Sequence, residues 1–215
     1  YGLYRVLPFR GQNWMLLVAS YVFYGWWDWR FLFLMILSTS VDFWTGLVLD
    51  RGHLARRQVL IPAAFLSAAA ILLIGFDFSA LLHWLAGKPV AGPLISSAMP
   101  QVLLGIPLFA AVAATGYHIL VRLPADRRRL ACMIVSIVVQ LSILAVFKYF
   151  NFFIDSLVTA LNASGIEATA RHFDIVLPVG LSFYTFQSMS YAIDIYRREI
   201  KPTDRFFDFA LFVAF

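Results

Sequence analysis

Gly180, Tyr184, Gln187, Tyr191, Asp194 and Arg198 lie in a stretch otherwise apolar enough to cross a membrane. At 3.6 residues per turn they form one narrow helical stripe. A polar group facing lipid without a partner is costly, so the stripe must face other helices or a wet cavity. Its chemistry is then either hydrogen-bond glue between helices or the polar lining of a substrate path. Asp42 is a second buried-type carboxylate, about 10 Å from the inner end of its own apolar run at about 1.5 Å per residue. Ser38, Asp42 and Thr45 share a face there. Gln187 sits at a comparable depth, so the two stripes are expected to face one another. Asp194 is nearer the inner surface, beside Arg197 and Arg198. A structural ion pair is the alternative to a cavity role for it.

Other reactive residue types offer less. His53 lies in a basic loop and His83 and His172 in outer segments, all readable as solvated surface. His118 lies one turn from the inner end of its run and is either a packing residue or a proton-handling group. The single cysteine, Cys132, can form no internal disulfide, and the histidines show no metal-ligand spacing. No metal site is expected. Phosphate-binding loops, dinucleotide glycine motifs, serine nucleophile elbows and His-Glu-x-x-His helices are all lacking.

The elements that must position these residues are membrane spans. The 215 residues are 61% hydrophobic and 13% charged, with mean hydropathy +0.80, whereas soluble domains carry about 25% charged residues. Apolar runs at 14–27, 31–49, 58–76, 101–121, 130–150 and 176–196, with another starting at 206–215, predict an all-α, polytopic transmembrane domain over 1–215. Of the 17 basic residues, 13 fall in four groups: Arg5 and Arg10; Arg51, Arg56 and Arg57; Arg122, Arg127, Arg128 and Arg129; Arg197, Arg198, Lys201 and Arg205. Alternating spans bring all four groups to one side, which the positive-inside rule assigns to the cytoplasm. The net charge of +5 therefore reports orientation in a lipid bilayer, and no nucleic-acid partner is implied. Loops 28–30, 77–100 and 151–175 then face outward. Trp26, Trp27, Trp29 and Trp84 fit the outer aromatic belt. Residues 151–162 read as an amphipathic continuation along the outer interface, after which Pro178 and Gly180 restart a span. Pro107 is expected to kink the run 101–121.

Six segments carry a family resemblance: Lys148-Tyr-Phe-Asn-Phe-Phe-Ile-Asp155, Leu177-Pro-Val-Gly-Leu-Ser-Phe-Tyr-Thr-Phe-Gln187, Tyr191-Ala-Ile-Asp-Ile-Tyr-Arg197, Asp208-Phe-Ala-Leu-Phe-Val-Ala-Phe215, and Ala19-Ser-Tyr-Val-Phe-Tyr-Gly-Trp-Trp-Asp28 followed by Leu37-Ser-Thr-Ser-Val-Asp42. They resemble the alginate O-acetyltransferase branch of the membrane-bound O-acyltransferases. The resemblance implies the N-terminal portion of a helical ring in the bacterial inner membrane. It implies acyl transfer, such as O-acetylation of exported alginate, from acetyl-CoA or a derived acyl carrier. The implied partners are a periplasmic acetyltransferase and the polysaccharide acceptor. Lys148 and Asn151 would order an outer vestibule; Tyr184, Gln187, Tyr191, Asp194 and Asp42 are the candidate cavity residues. No histidine here matches the family's catalytic position, which is expected beyond Phe215, so no catalytic residue is assigned and the chain alone is expected to be inactive. The stretch 60–124 departs from the family pattern and reads as an inserted helix pair. D-alanyl transfer to teichoic acid, or a non-catalytic transporter or scaffold, are the rival readings.

Overall fold

The computed structural model describes residues 2–27, 29–77, 80, 83, 86–87, 94–167, 169 and 180–215. The expectations for Asp28, Trp84, His172 and Pro178 fall outside them. The architecture is all-α, with no strand among the described residues and a single isolated bridge between Phe76 and Ile95. In chain order the helices are α1 (Gly2–Val6), α2 (Phe9–Trp27), α3 (Trp29–Arg51), α4 (Arg56–Ala70), α5 (Met99–Arg122), α6 (Ala125–Leu144), α7 (Phe150–Ala163), α8 (Leu181–Arg197) and α9 (Phe206–Ala214). Single π-helical turns extend α4 through Ile71–Gly75 and join α6 to α7 through Ala145–Tyr149. Four helical stretches are long and apolar enough to cross a membrane: Phe31–Arg51, Arg56–Gly75, Met99–Arg122 and Ala125–Ala163. The chain is a multi-pass membrane protein.

α3 is the hub. Most of its length is buried, from Met35 and Ile36 through Ser38, Thr39, Ser40, Asp42 and Phe43 to Leu47, Val48 and Leu49. A helix apolar on every side belongs inside a bundle, and α2, α4, α6, α8 and α9 all pack on this one. Its hydroxyls fit that setting by bonding back to their own helix. Ser38 and Thr39 donate to the Met35 carbonyl at 3.0 and 2.7 Å, and Ser40 donates to Ile36 at 2.7 Å. α4 packs on α3 through Leu66 and Ala69 against Ile36. α5 lies at the periphery, where only Val102 is buried. Pro107 is accommodated within α5, which runs on to Arg122.

Local signals set the helix ends. Gly52 takes φ +78° and closes α3, its N–H donating to the Val48 carbonyl at 2.9 Å. α4 begins where Gln58 reaches back to accept the Ala55 N–H at 2.8 Å. α8 ends in a Schellman turn: Arg198 is left-handed at φ 67°, and Glu199 N–H donates to the Asp194 carbonyl at 2.9 Å.

The stretch Ala125–Ala163 is 39 residues of continuous helix, about 58 Å at 1.5 Å per residue against a hydrocarbon core of about 30 Å. Its outer part, α7, buries no residue. The π turn ends at Tyr149, whose φ of −117° and ψ of 0° depart from helical values. The expected continuation over 151–162 is therefore a helix joined to α6 through a π turn.

All four basic groups meet at one end of the bundle. Arg129, on the first turn of α6, donates to the carbonyls of Leu49 on α3 and of Ile195 and Tyr196 on α8. One guanidinium thus satisfies the terminal carbonyls of two helices. Arg128 packs over Gly52. Arg51 forms a two-pronged pair with Asp204, which also accepts from Gln58 Nε2 at 2.7 Å. The Tyr117 hydroxyl accepts the Leu54 N–H at 3.4 Å.

Candidate functional site

The polar centre of the molecule is a carboxylate held where α3, α6 and α8 meet. Asp42 is 1% exposed. Its Oδ1 accepts from Ser136 Oγ at 2.6 Å, and its Oδ2 accepts from Gln140 Nε2. Both partners stand on α6, one turn apart, so they present two donors side by side. Ser188, on α8, faces the same carboxylate without closing a hydrogen bond of full geometry. A buried charge is tolerated only when paired or well hydrogen-bonded, and here both hydrogen bonds come from α6. The same three helices also share an apolar core that includes Met35, Leu47, Cys132, Leu144, Leu181 and Ile195.

The polar stripe of α8 meets α3 at Tyr191, which packs on Gly46, whereas Gln187 does not reach Asp42. Gln187 Nε2 instead donates to the Phe212 carbonyl on α9 at 2.6 Å. The reason is rotational: consecutive helical residues point about 100° apart, and the register turns Ser188, not Gln187, toward α3. The buried face of α8 is Leu181, Tyr184, Thr185, Ser188, Tyr191, Ala192 and Ile195. Gln187 and Asp194 flank that face and are half-buried.

The remaining candidates occupy separate places. Tyr184 is buried with its hydroxyl unpartnered among the described residues. Tyr191 packs on Gly46, where an added Cβ would come within 3.3 Å of its ring. The Tyr191 ring lies 4.6 Å from Phe209, and its hydroxyl accepts the Thr203 N–H at 3.4 Å. It therefore anchors the turn between α8 and α9. Asp194 forms no ion pair with Arg197 or Arg198 among the described residues; Arg197 pairs instead with Glu199 at 3.9 Å. Lys148 is exposed in the π turn, with Nζ 5.4 Å from the Tyr149 ring centre. Asn151 is half-buried at the start of α7, one turn beyond Lys148. These two share one end of the π break and are remote in sequence from the Asp42 junction.

Sequence reasoning missed Ser136 and Gln140. The signal was present: two polar residues four apart within the apolar run 130–150, aligned with Cys132 and Leu144, which are also buried. Among the described residues no cluster of three or more His, Cys, Asp or Glu side chains could hold a metal ion.

No protein-family model matches the chain, and no solved structure matches it. Curated relatives do. A probable alginate O-acetylase AlgI from Azotobacter vinelandii is 31% identical over 214 residues, 99% of this chain and 28% of that protein. The protein of the same name from Pseudomonas aeruginosa is 31% identical over the same span, and the one from Pseudomonas fluorescens 25%. The chain thus spans little more than a quarter of these relatives' length. Along nearly its whole length the chain is thus similar to proteins named as probable alginate O-acetylases, the branch that its motifs resemble.

Proposed function

We propose that this chain is the part of a bacterial inner-membrane O-acyltransferase that builds its polar three-helix core, in an enzyme that O-acetylates an exported polysaccharide of the alginate type. The observation that carries this reading is the similarity to probable alginate O-acetylases along 99% of the chain. The donor in this reading is acetyl-CoA or a derived acyl carrier on the cytoplasmic side. The acceptor is the glycan or a periplasmic acetyltransferase that relays the acyl group. Asp42, Ser136 and Gln140 hold α3 to α6, and Ser188 brings α8 to the same point. Their role is to fix the helices that frame a transfer path. No relative's name points to teichoic acid or to transport.

The test is a deletion of the full-length gene in its native host, complemented by the wild-type gene. The expected result is exported polysaccharide in normal amount that has lost its acetyl esters, with ester content restored on complementation. Polymer with unchanged acetyl content in the deletion strain overturns the proposal.

A further inference from the structure

At the basic end of the bundle an open cavity of about 440 Å³ lies between the start of α2, the first turns of α4 and the entry to α9. Its walls divide by chemistry. One side is apolar, with the Trp14 and Phe207 rings 4.6 Å apart and Ile61 beside them. The other side carries Arg10, Arg57 and Arg205. Arg10 and Arg57 are exposed and engage no carboxylate among the described residues. Arg205 has only Asp208 at 3.9 Å. Asp204, the other anion on the rim, is already taken by Arg51 and Gln58. The cavity therefore presents more guanidinium than carboxylate, over an aromatic floor.

A second observation fixes the kind of ligand. Trp14, Val18 and Val22 repeat every four residues along α2, at 49, 54 and 58% exposure. This apolar stripe leads out of the cavity and up the helix, toward the end opposite the basic groups. An occupant with an anionic head and an apolar tail matches both features. Guanidinium groups recognise phosphate oxygens through paired N–H donors. The positive-inside orientation puts this end in the headgroup layer of the cytoplasmic leaflet, where anionic lipids concentrate.

We propose that the cavity seats the phosphate of an anionic phospholipid from the cytoplasmic leaflet, held by Arg10, Arg57 and Arg205, with an acyl chain lying along Trp14, Val18 and Val22. The site is separate from the Asp42 junction and does not depend on the acyl-transfer reading. A lipid wedged there joins α2 to α4 and α9 at their membrane edge.

The experiment titrates the full-length protein, delipidated in a mild detergent, with dioleoylphosphatidylglycerol or dioleoylphosphatidylcholine in mixed micelles. Bound lipid is read by native mass spectrometry and by thermal shift. Phosphatidylglycerol is expected to bind about tenfold more tightly than phosphatidylcholine, and Arg10→Gln/Arg57→Gln to weaken it by about tenfold. Val18→Asn, which interrupts the tail path, is expected to weaken it as well. Arg127→Gln, in the basic turn outside the cavity, is expected to leave binding unchanged. If the double variant does not accumulate, each single variant is expected to weaken binding by about threefold. Equal binding of the two lipids, or an equal loss in Arg127→Gln, overturns the proposal. So does displacement of lipid by acetyl-CoA or by tail-free glycerophosphoglycerol at matching concentration, because the site would then serve a water-soluble phosphate compound.

Discussion

Asp42→Ala is expected to improve membrane insertion while weakening the folded bundle, and the two effects can be measured apart. An aspartate at the centre of a spanning helix costs about 2.5–3.5 kcal/mol on insertion scales. Alanine removes that cost, so the amount of inserted protein is expected to hold or rise. The folded state loses instead. Ser136 Oγ and Gln140 Nε2 both donate to this carboxylate from α6, and without it two buried donors are left unpaired. Interhelical hydrogen bonds in membranes average about 0.6 kcal/mol and reach about 1.7, so the expected loss is about 1–3 kcal/mol. For a protein of this size class that lowers Tm by roughly 3–10 °C. Asp42→Asn is expected to be milder. It keeps the volume, and although its amide meets the Gln140 donor, Gln140 can turn its own Oε1, which has no partner among the described residues, toward the new N–H. The assay is membrane abundance by blot beside thermal unfolding of the detergent-purified protein, followed by gel filtration. A Tm for Asp42→Ala within about 1 °C of wild type, or abundance that falls while Tm holds, would refute the view that this carboxylate locks α3 to α6.

Gly52→Ala is expected to destabilise by about 1–2 kcal/mol, read as a lower Tm, because its φ is +78° and the new Cβ would lie 2.7 Å from the Arg128 guanidinium. Gln187→Leu removes the bond to the Phe212 carbonyl; loss of activity out of proportion to abundance is expected if this residue borders a substrate path, and loss only in proportion means it is helix glue. Asp204 is held below the usual carboxylate range chiefly by its hydrogen bond with Arg51. A carboxylate depressed in the folded state contributes stability above its ordinary value of about 3.9 and loses it as pH falls through the folded value. Asp204→Asn is therefore expected to flatten the acid limb of a Tm-against-pH curve below about pH 4, with only a small change at neutrality because the pair is exposed. Single cysteines in the 122–129 turn and at Gly87, on a Cys132→Ala background, are expected to react oppositely with an impermeant thiol reagent on intact cells; labelling of 122–129 from outside overturns the assigned orientation.

Hydropathy and charge carried most of the fold because both act residue by residue. Apolar runs near 20 residues became helices, and the 13 grouped basic residues gathered at one end. That gathering has a mechanism beyond orientation: Arg129 satisfies the last carbonyls of α3 and α8 at once. The site was legible in part. Asp42 stood out because a carboxylate deep in an apolar run demands partners, yet which residues supply them depends on helix rotation. A shift of one residue turns a helix by about 100°, enough to replace Gln187 by Ser188 at the junction. The π turns were invisible for a related reason: they insert a residue into the hydrogen-bond ladder without changing the apolar pattern. The turn at Ala145–Tyr149 shows why this matters. It falls between an inner helix that presents Ser136 and Gln140 to Asp42 and an outer helix that buries nothing. An unbroken α-helical register across residues 145–149 would rotate α7 by about 100° relative to α6, and with it the face on which Asn151 stands. The break thus lets one long helix serve two faces, a polar lock inside the bundle and the Lys148–Asn151 segment outside it.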